Sequence, residues 1–130
     1  MRKLRFRAWN KKSRWMEHDL YLSFDGFIYQ RAEFGYNTPH TEIEMVNNEN
    51  IVLMQFTGLL DKNGREIWEG DIVRFDGHTW EEKFTACIIE KNGGFWADRK
   101  DGLGDYLGNF KYREVLGSIH EHPHLLREGE

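Results

Sequence analysis

One cysteine, two prolines and no apolar run of membrane-spanning length remove several classes of function from this 130-residue chain. Cys87 alone allows no disulfide within the chain. It sits in the strand-like run Phe84-Thr85-Ala86-Cys87-Ile88-Ile89, where a buried structural thiol is expected rather than a nucleophile. No stretch nears the ~20 apolar residues that a helix needs to cross a bilayer. Met1-Arg2-Lys3 is basic, but no apolar h-region of a secretory signal follows it. A soluble, cytoplasmic protein with no membrane partner is expected. Phosphate-cradling glycine loops, nucleotide fingerprints and nucleophile elbows are missing as well. Gly102-Leu103-Gly104 reads as loop flexibility. The chain is therefore read as a non-enzyme with no catalytic residues, cofactor or metal.

Acids are missing from one stretch only. Residues 1–15 carry seven basic side chains (Arg2, Lys3, Arg5, Arg7, Lys11, Lys12, Arg14) and no Asp or Glu. Eleven of the 18 basic residues then face all 22 acidic ones, so the net charge of −4 hides a balance of −11 over the remainder. A positive arm on a negative body fits an acidic partner, its own body, or a neighbouring subunit.

What the chain has in plenty is aromatic residues, 15% of the total, and 13 glycines. Aromatic residues favour strands, and glycine without proline favours tight turns over stiff linkers. The length suits one domain, or two small lobes sharing a core. Leu4, Phe6 and Ala8 alternate with Arg5 and Arg7, the period of a half-buried strand whose charged outer face guards an edge. Asn10-Lys11-Lys12-Ser13 follows as a turn. Asp25-Gly26 signals a hairpin with a two-residue loop, which sets Phe24 opposite Phe27 and Leu22 opposite Tyr29. Residues 32–40 read as a loop, and Thr41 to Val46 as either a strand or a short helix.

From Ile51 the pattern sharpens. Val52, Met54 and Phe56 point one way and Ile51 and Leu53 the other, so this strand should be central, with both faces covered. Asp61-Lys62-Asn63-Gly64 suits a type I turn closed by a left-handed Gly64. Gly70 turns the next corner. Lys91-Asn92-Gly93-Gly94 marks another hairpin, and strands over Tyr106–Tyr112 and Val115–Ile119 complete a mainly β chain, a small barrel or sandwich. A β-rich α+β arrangement is the alternative.

The wording also resembles a known family. Three blocks carry the resemblance: Leu4-Arg5-Phe6-Arg7-Ala8-Trp9-Asn10; Gln55-Phe56-Thr57-Gly58-Leu59 through Asp61-Lys62-Asn63-Gly64 to Ile67-Trp68-Glu69-Gly70-Asp71-Ile72-Val73; and Leu116-Gly117-Ser118-Ile119 to Leu125-Leu126. They are similar to the YopX-like proteins of bacteriophages and prophages. The chain departs from the familiar wording in Asn10, where the family has Asp, and in its His-rich tail. The resemblance implies a mainly β fold, with N-terminal hairpins over residues 1–50 and a small SH3-like barrel within 51–130. It implies a phage accessory protein and supplies no catalytic residues. Gly58, Asp61, Gly64, Trp68, Gly70 and Asp71 of the central block are expected to build the fold.

Three constellations remain. His120-Glu121-His122-Pro123-His124 matches H-E-x-x-H, but zinc peptidase chemistry needs that pattern on a helix, and Pro123 disfavours helix at His122. A solvated tail is the plainer reading, with adventitious metal binding beside it. Glu66, Glu69 and Asp71 suggest an acid/base pair or a cation site, although Asp71 at a corner more often accepts from backbone N–H groups. Arg5, Arg7, Lys11, Lys12 and Arg14, interleaved with Trp9 and Trp15, have cations for phosphate and rings for bases. A charged edge strand with core aromatics explains the same residues. Five tryptophans (Trp9, Trp15, Trp68, Trp80, Trp96) exceed what a small core requires, which points to an interface. The expected function is a protein-interaction or self-assembling module, binding a phage or host protein or another copy. Nucleic-acid binding by the basic arm is the alternative.

Overall fold

A computed structural model of the chain describes residues 5–22, 28–32, 41–45, 50–76, 83–99 and 104–128. It is mainly β, as expected. Two compact units divide it, Leu4–Gln55 and Phe56–Glu130. The sequence boundary at 50/51 marks the start of a strand, β5 (Ile51–Leu60), and the division between units lies inside that strand.

The amino-terminal unit is an antiparallel sheet of β1 (Phe6–Asn10), β2 (Trp15–Leu22), β3 (Ile28–Ala32), β4 (Thr41–Met45) and the first half of β5. Their order is β4-β3-β2-β1-β5. Thr41–Met45 is thus a strand and not a helix. β1 corrects the sequence reading, because it lies between β2 and β5 and is no edge. Residues opposite one another share a face. One face carries Phe6, Ala8, Leu20, Ile51 and Leu53; the other carries Trp9, Met16, Val52 and Met54. The two apolar faces read into residues 51–56 are those two clusters.

A second correction concerns the β2–β3 hairpin. Leu22 stands opposite Ile28 and Tyr21 opposite Tyr29, one residue away from the register that a two-residue Asp25-Gly26 loop dictates. The pairing of Leu22 with Tyr29 is therefore not made. The turn, with Phe24 and Phe27, lies outside the described residues.

In the carboxy-terminal unit the second half of β5 pairs with β6 (Glu66–Trp68). There follow β7 (Asp71–Asp76), β8 (Lys83–Lys91), β9 (Gly94–Asp98), β10 (Asp105–Tyr106), a 3₁₀ turn at Leu107–Asn109, β11 (Arg113–Ser118) and the short helix α1 (His124–Glu128). The sheet order is β10-β9-β8-β7-β11. The last strand returns to pair with β7 after a 3₁₀ turn, as in the SH3-like barrel that the resemblance implied. Asn92 and Gly93 both take positive φ, 51° and 81°, in the two-residue turn that joins Lys91 to Gly94.

Ile67, Val73, Phe75, Ala86, Ile88, Phe95, Ala97, Leu107, Phe110 and Val115 form the core here. The ring of Phe75 lies 5.2 Å from that of Phe84 and 4.9 Å from that of Phe110. Each large side chain so buried contributes about 1.5–3 kcal/mol. The strand expected over Tyr106–Tyr112 ends after Tyr106. Leu107 and Phe110, three apart, both face the core, and a 3₁₀ turn of three residues per turn places them there where a strand would split them. Among the described residues no helix is long and apolar enough to cross a membrane.

Candidate functional site

The β1–β2 turn is the most distinctive surface of the amino-terminal unit. Asn10 organises it through its own side chain. Its Oδ1 accepts from the backbone N–H of Lys12 at 3.0 Å and of Ser13 at 3.1 Å, and its carbonyl accepts from Arg14 at 2.8 Å. The Lys11 N–H donates to the Asn50 carbonyl at 2.7 Å. Arg14 closes the turn with φ 56°, a left-handed conformation that the neighbouring bonds impose. A rigid tip results, with Lys11, Lys12 and Arg14 exposed and Trp15 standing 64% exposed beside them.

The remaining members of the predicted basic arm do not join that tip. Arg7 is only 6% exposed, and its Nη2 lies 3.8 Å from Met54 Sδ. Trp9, equally buried, packs with Met16 and Met54 on the same face. Arg5 is half-buried. The linear arm of cations is therefore split into an interior arginine and an exposed turn. One signal was present in the sequence: Arg7 and Trp9 share a parity, and a face bearing Trp9 is poorly suited to solvent alone.

In the other unit, the buried acids of the central block hold turns and strands together. The Asp61 carboxylate is buried. Its Oδ1 accepts from Asn63 N at 2.8 Å and Arg65 N at 2.9 Å, while Oδ2 accepts from Val115 N on β11 at 2.9 Å. Burial pushes its pKa up, but those three N–H groups and the Arg65 charge outweigh it and hold the carboxyl below its ordinary value of 3.8. Gly64, at φ 81°, donates to the Asp61 carbonyl at 3.0 Å and closes the turn. Gly58, at φ 85°, lies in the irregular stretch where the β5–β6 register shifts, and there Thr57 Oγ1 donates to the Ile67 carbonyl at 2.6 Å.

Asp71, 2% exposed, accepts from the Trp68 N–H at 2.8 Å, while Gly70 donates to the Ile88 carbonyl at 2.7 Å and takes φ 87°. Trp68 is buried with its ring centroid 5.4 Å from that of Phe56. Cys87 is half-buried. Burial, followed by the charges of Asp98, Asp71 and Glu69, pushes its thiol up to about 11, far from a nucleophile's range.

The His-rich tail is solvated over residues 121–124, as expected, and is also tied back to β11. Ser118 Oγ accepts from Glu121 N at 3.0 Å, and His122 Nδ1 accepts from Ser118 N at 3.3 Å. The His122 ring covers Gly117, where a Cβ would stand 2.5 Å from Nδ1. Helix α1 begins only at His124, after Pro123, so His120 and His124 do not share a helix face. Among the described residues no group of three His, Cys, Asp or Glu is placed to hold a metal ion. Of the five tryptophans, Trp80 lies outside the described residues, Trp9 and Trp68 are buried, and Trp96 is half-buried against Tyr106.

Comparison with known proteins agrees with this architecture. No curated protein matches the chain. The crystal structure of protein EF1440 from Enterococcus faecalis is 27% identical and superposes with a TM-score of 0.66, covering 97% of this chain and 99% of that one. Protein yopX from Bacillus subtilis, 20% identical, superposes with a TM-score of 0.69 over 97% of this chain and 99% of its own. The family profile described as YopX protein matches residues 5–127, and the chain belongs to that family.

Proposed function

We propose that the chain is a non-enzymatic, phage- or prophage-encoded interaction module that binds a phage or host protein in the bacterial cytoplasm through the β1–β2 turn. The observation that carries this reading is Trp15, a large ring held 64% exposed on a turn whose backbone is fixed by Asn10. A rigid exposed Trp loses little freedom on binding and is among the residues that dominate interface energies. Asp61 and Asp71, the buried carboxylates among the described residues, already accept from backbone N–H groups, and the Cys87 thiol is raised. Those facts favour binding over catalysis.

Tagged full-length chain and its Trp15→Ala variant, used as bait in infected cells with and without nuclease, test the proposal. A protein that survives nuclease and is lost with Trp15→Ala supports it. Capture that Trp15→Ala leaves intact refutes the assigned surface. Self-assembly belongs to the same reading, and a strict monomer by light scattering at high concentration would remove that part. The second reading, nucleic-acid binding, draws on the cations beside Trp15. It is weakened by the burial of Arg7, which takes one of the supposed phosphate contacts out of solvent.

A further inference from the structure

We infer that the partner presents an acidic segment with an apolar anchor, its carboxylates meeting Lys11, Lys12 and Arg14 and its apolar side chain lying against Trp15 and Ile51. This inference rests on the interaction reading above and names the chemistry of its partner.

The backbone of the turn narrows the choice first. The N–H groups of Lys11, Lys12, Ser13 and Arg14 all donate within the unit, to Asn50 O, Asn10 Oδ1 (twice) and Asn10 O. No nest of backbone donors is left to cradle a compact anion such as a single phosphate. Charge recognition falls to three long side chains on an exposed turn, which suit carboxylates spread along an extended segment and act mainly by steering encounter.

The register supplies the apolar half. Asn10 stands opposite Trp15 on one side and Ile51 on the other, so the three form a row on one face of the sheet. The next row is Glu17, Ala8 and Leu53; the one after it is Leu20, Phe6 and Gln55. From Trp15, half-buried Ile51, Leu53 and Phe6 continue the apolar surface, while Glu17 stands in the second row on the β2 side. The surface therefore has a direction: acidic residues over residues 11–14, apolar residues over Ile51 and Leu53.

A polynucleotide fits this surface less well. Single-strand binders stack successive bases on several rings along a basic track. Among the residues of this unit whose side chains are described, Trp15 is the only large exposed ring, since Trp9 is buried and the next row offers a carboxylate.

The test begins with a random dodecapeptide display library panned on immobilised full-length chain, followed by fluorescence polarisation with the selected peptide and with a single-stranded oligo-dT. The expected result is enrichment of peptides that pair Asp or Glu with a neighbouring aromatic or aliphatic residue. Trp15→Ala should weaken the peptide about tenfold or more through faster dissociation. Lys11→Glu with Lys12→Glu should slow association and flatten its salt dependence. All three positions are exposed, so circular dichroism should show the variants folded. Peptides that bind through Trp15 without acidic bias would overturn this inference and leave the interaction reading standing. Binding indifferent to Trp15→Ala would overturn both. Oligo-dT bound more tightly than any peptide, and lost with Trp15→Ala, would move the assignment to nucleic acid.

Discussion

Replacing Asp61 by alanine removes one carboxylate and leaves three backbone donors to find new partners. Two of them, at Asn63 and Arg65, lie in an exposed turn and can go over to water, losing about 0.5–1.5 kcal/mol each. The third, Val115 N–H, is buried on β11 and has no such recourse, which costs about 1–3 kcal/mol. The expected loss is about 4 kcal/mol. For a chain of this length that lowers Tm by roughly 10–15 °C in calorimetry at pH 7. Asp61→Asn retains one oxygen but turns an amide N–H toward one of the donors, so about 2 kcal/mol is expected. The pH dependence follows from the lowered pKa. The charge contributes fully above the ordinary value of 3.8 and is lost as pH falls through the lower folded value. The gap between wild type and Asp61→Asn should therefore be constant from pH 5 to 7 and narrow in the acid range below about 4. A Tm for Asp61→Ala within about 2 °C of wild type at pH 7 would refute the reasoning, because the Val115 amide would then be satisfied some other way.

Arg7→Ala should destabilise by about 1–3 kcal/mol through lost packing beside Met54, whereas Lys12→Ala stays within about 0.5 kcal/mol; equal effects in urea titrations would contradict the split of the basic arm. Gly104→Ala places a Cβ 2.3 Å from the Ala97 carbonyl and 2.6 Å from Trp96 Nε1, so a loss of about 1–3 kcal/mol is expected, read from the shift in the urea midpoint of Trp emission. A midpoint equal to wild type would show that the backbone yields. Native Cys87, with its thiol at about 11, should react with an aromatic disulfide at pH 8 about a hundredfold more slowly than in denaturant, and equal rates would count against its burial.

Where local chemistry decides a structure, the residues of this chain announced it. Asp61 to Gly64 and Lys91 to Gly94 turn where their Asp, Asn and Gly residues require, because φ and side-chain acceptors act over three or four residues. Asp71 belongs with them, as a corner acceptor for Trp68. Register resisted, because a two-residue Asp25-Gly26 loop sets Leu22 opposite Tyr29, and only the structure shows Leu22 opposite Ile28 instead. Burial of Arg7 resisted for a different reason. Alternation shows that a strand has two faces, but which side chains lie beside Arg7 on its face depends on strand pairing distant in sequence, here Met54 on β5. The site was legible in composition and not in geometry: Trp15 and the lysines could be named, and their separation from Arg7 and Trp9 could not. Leu107 and Phe110 resisted because only the core shows that both are buried on one side, which a 3₁₀ turn allows and a strand does not.

The return of β11 to β7 fixes when this unit can finish forming during synthesis. Val115 pairs with Val73, and its N–H reaches Asp61 across 54 residues. The ribosome must therefore deliver residues 113–118 before β7 gains its second neighbour. Until then a nascent chain shows an unpaired edge beside Val73 and Phe75, the kind of surface that chaperones hold and that aggregates recruit. A ribosome stalled ahead of Arg113 would release a fragment with nearly all of the core residues and no means of sealing them, so protection from proteolysis should arrive late and abruptly as the chain lengthens.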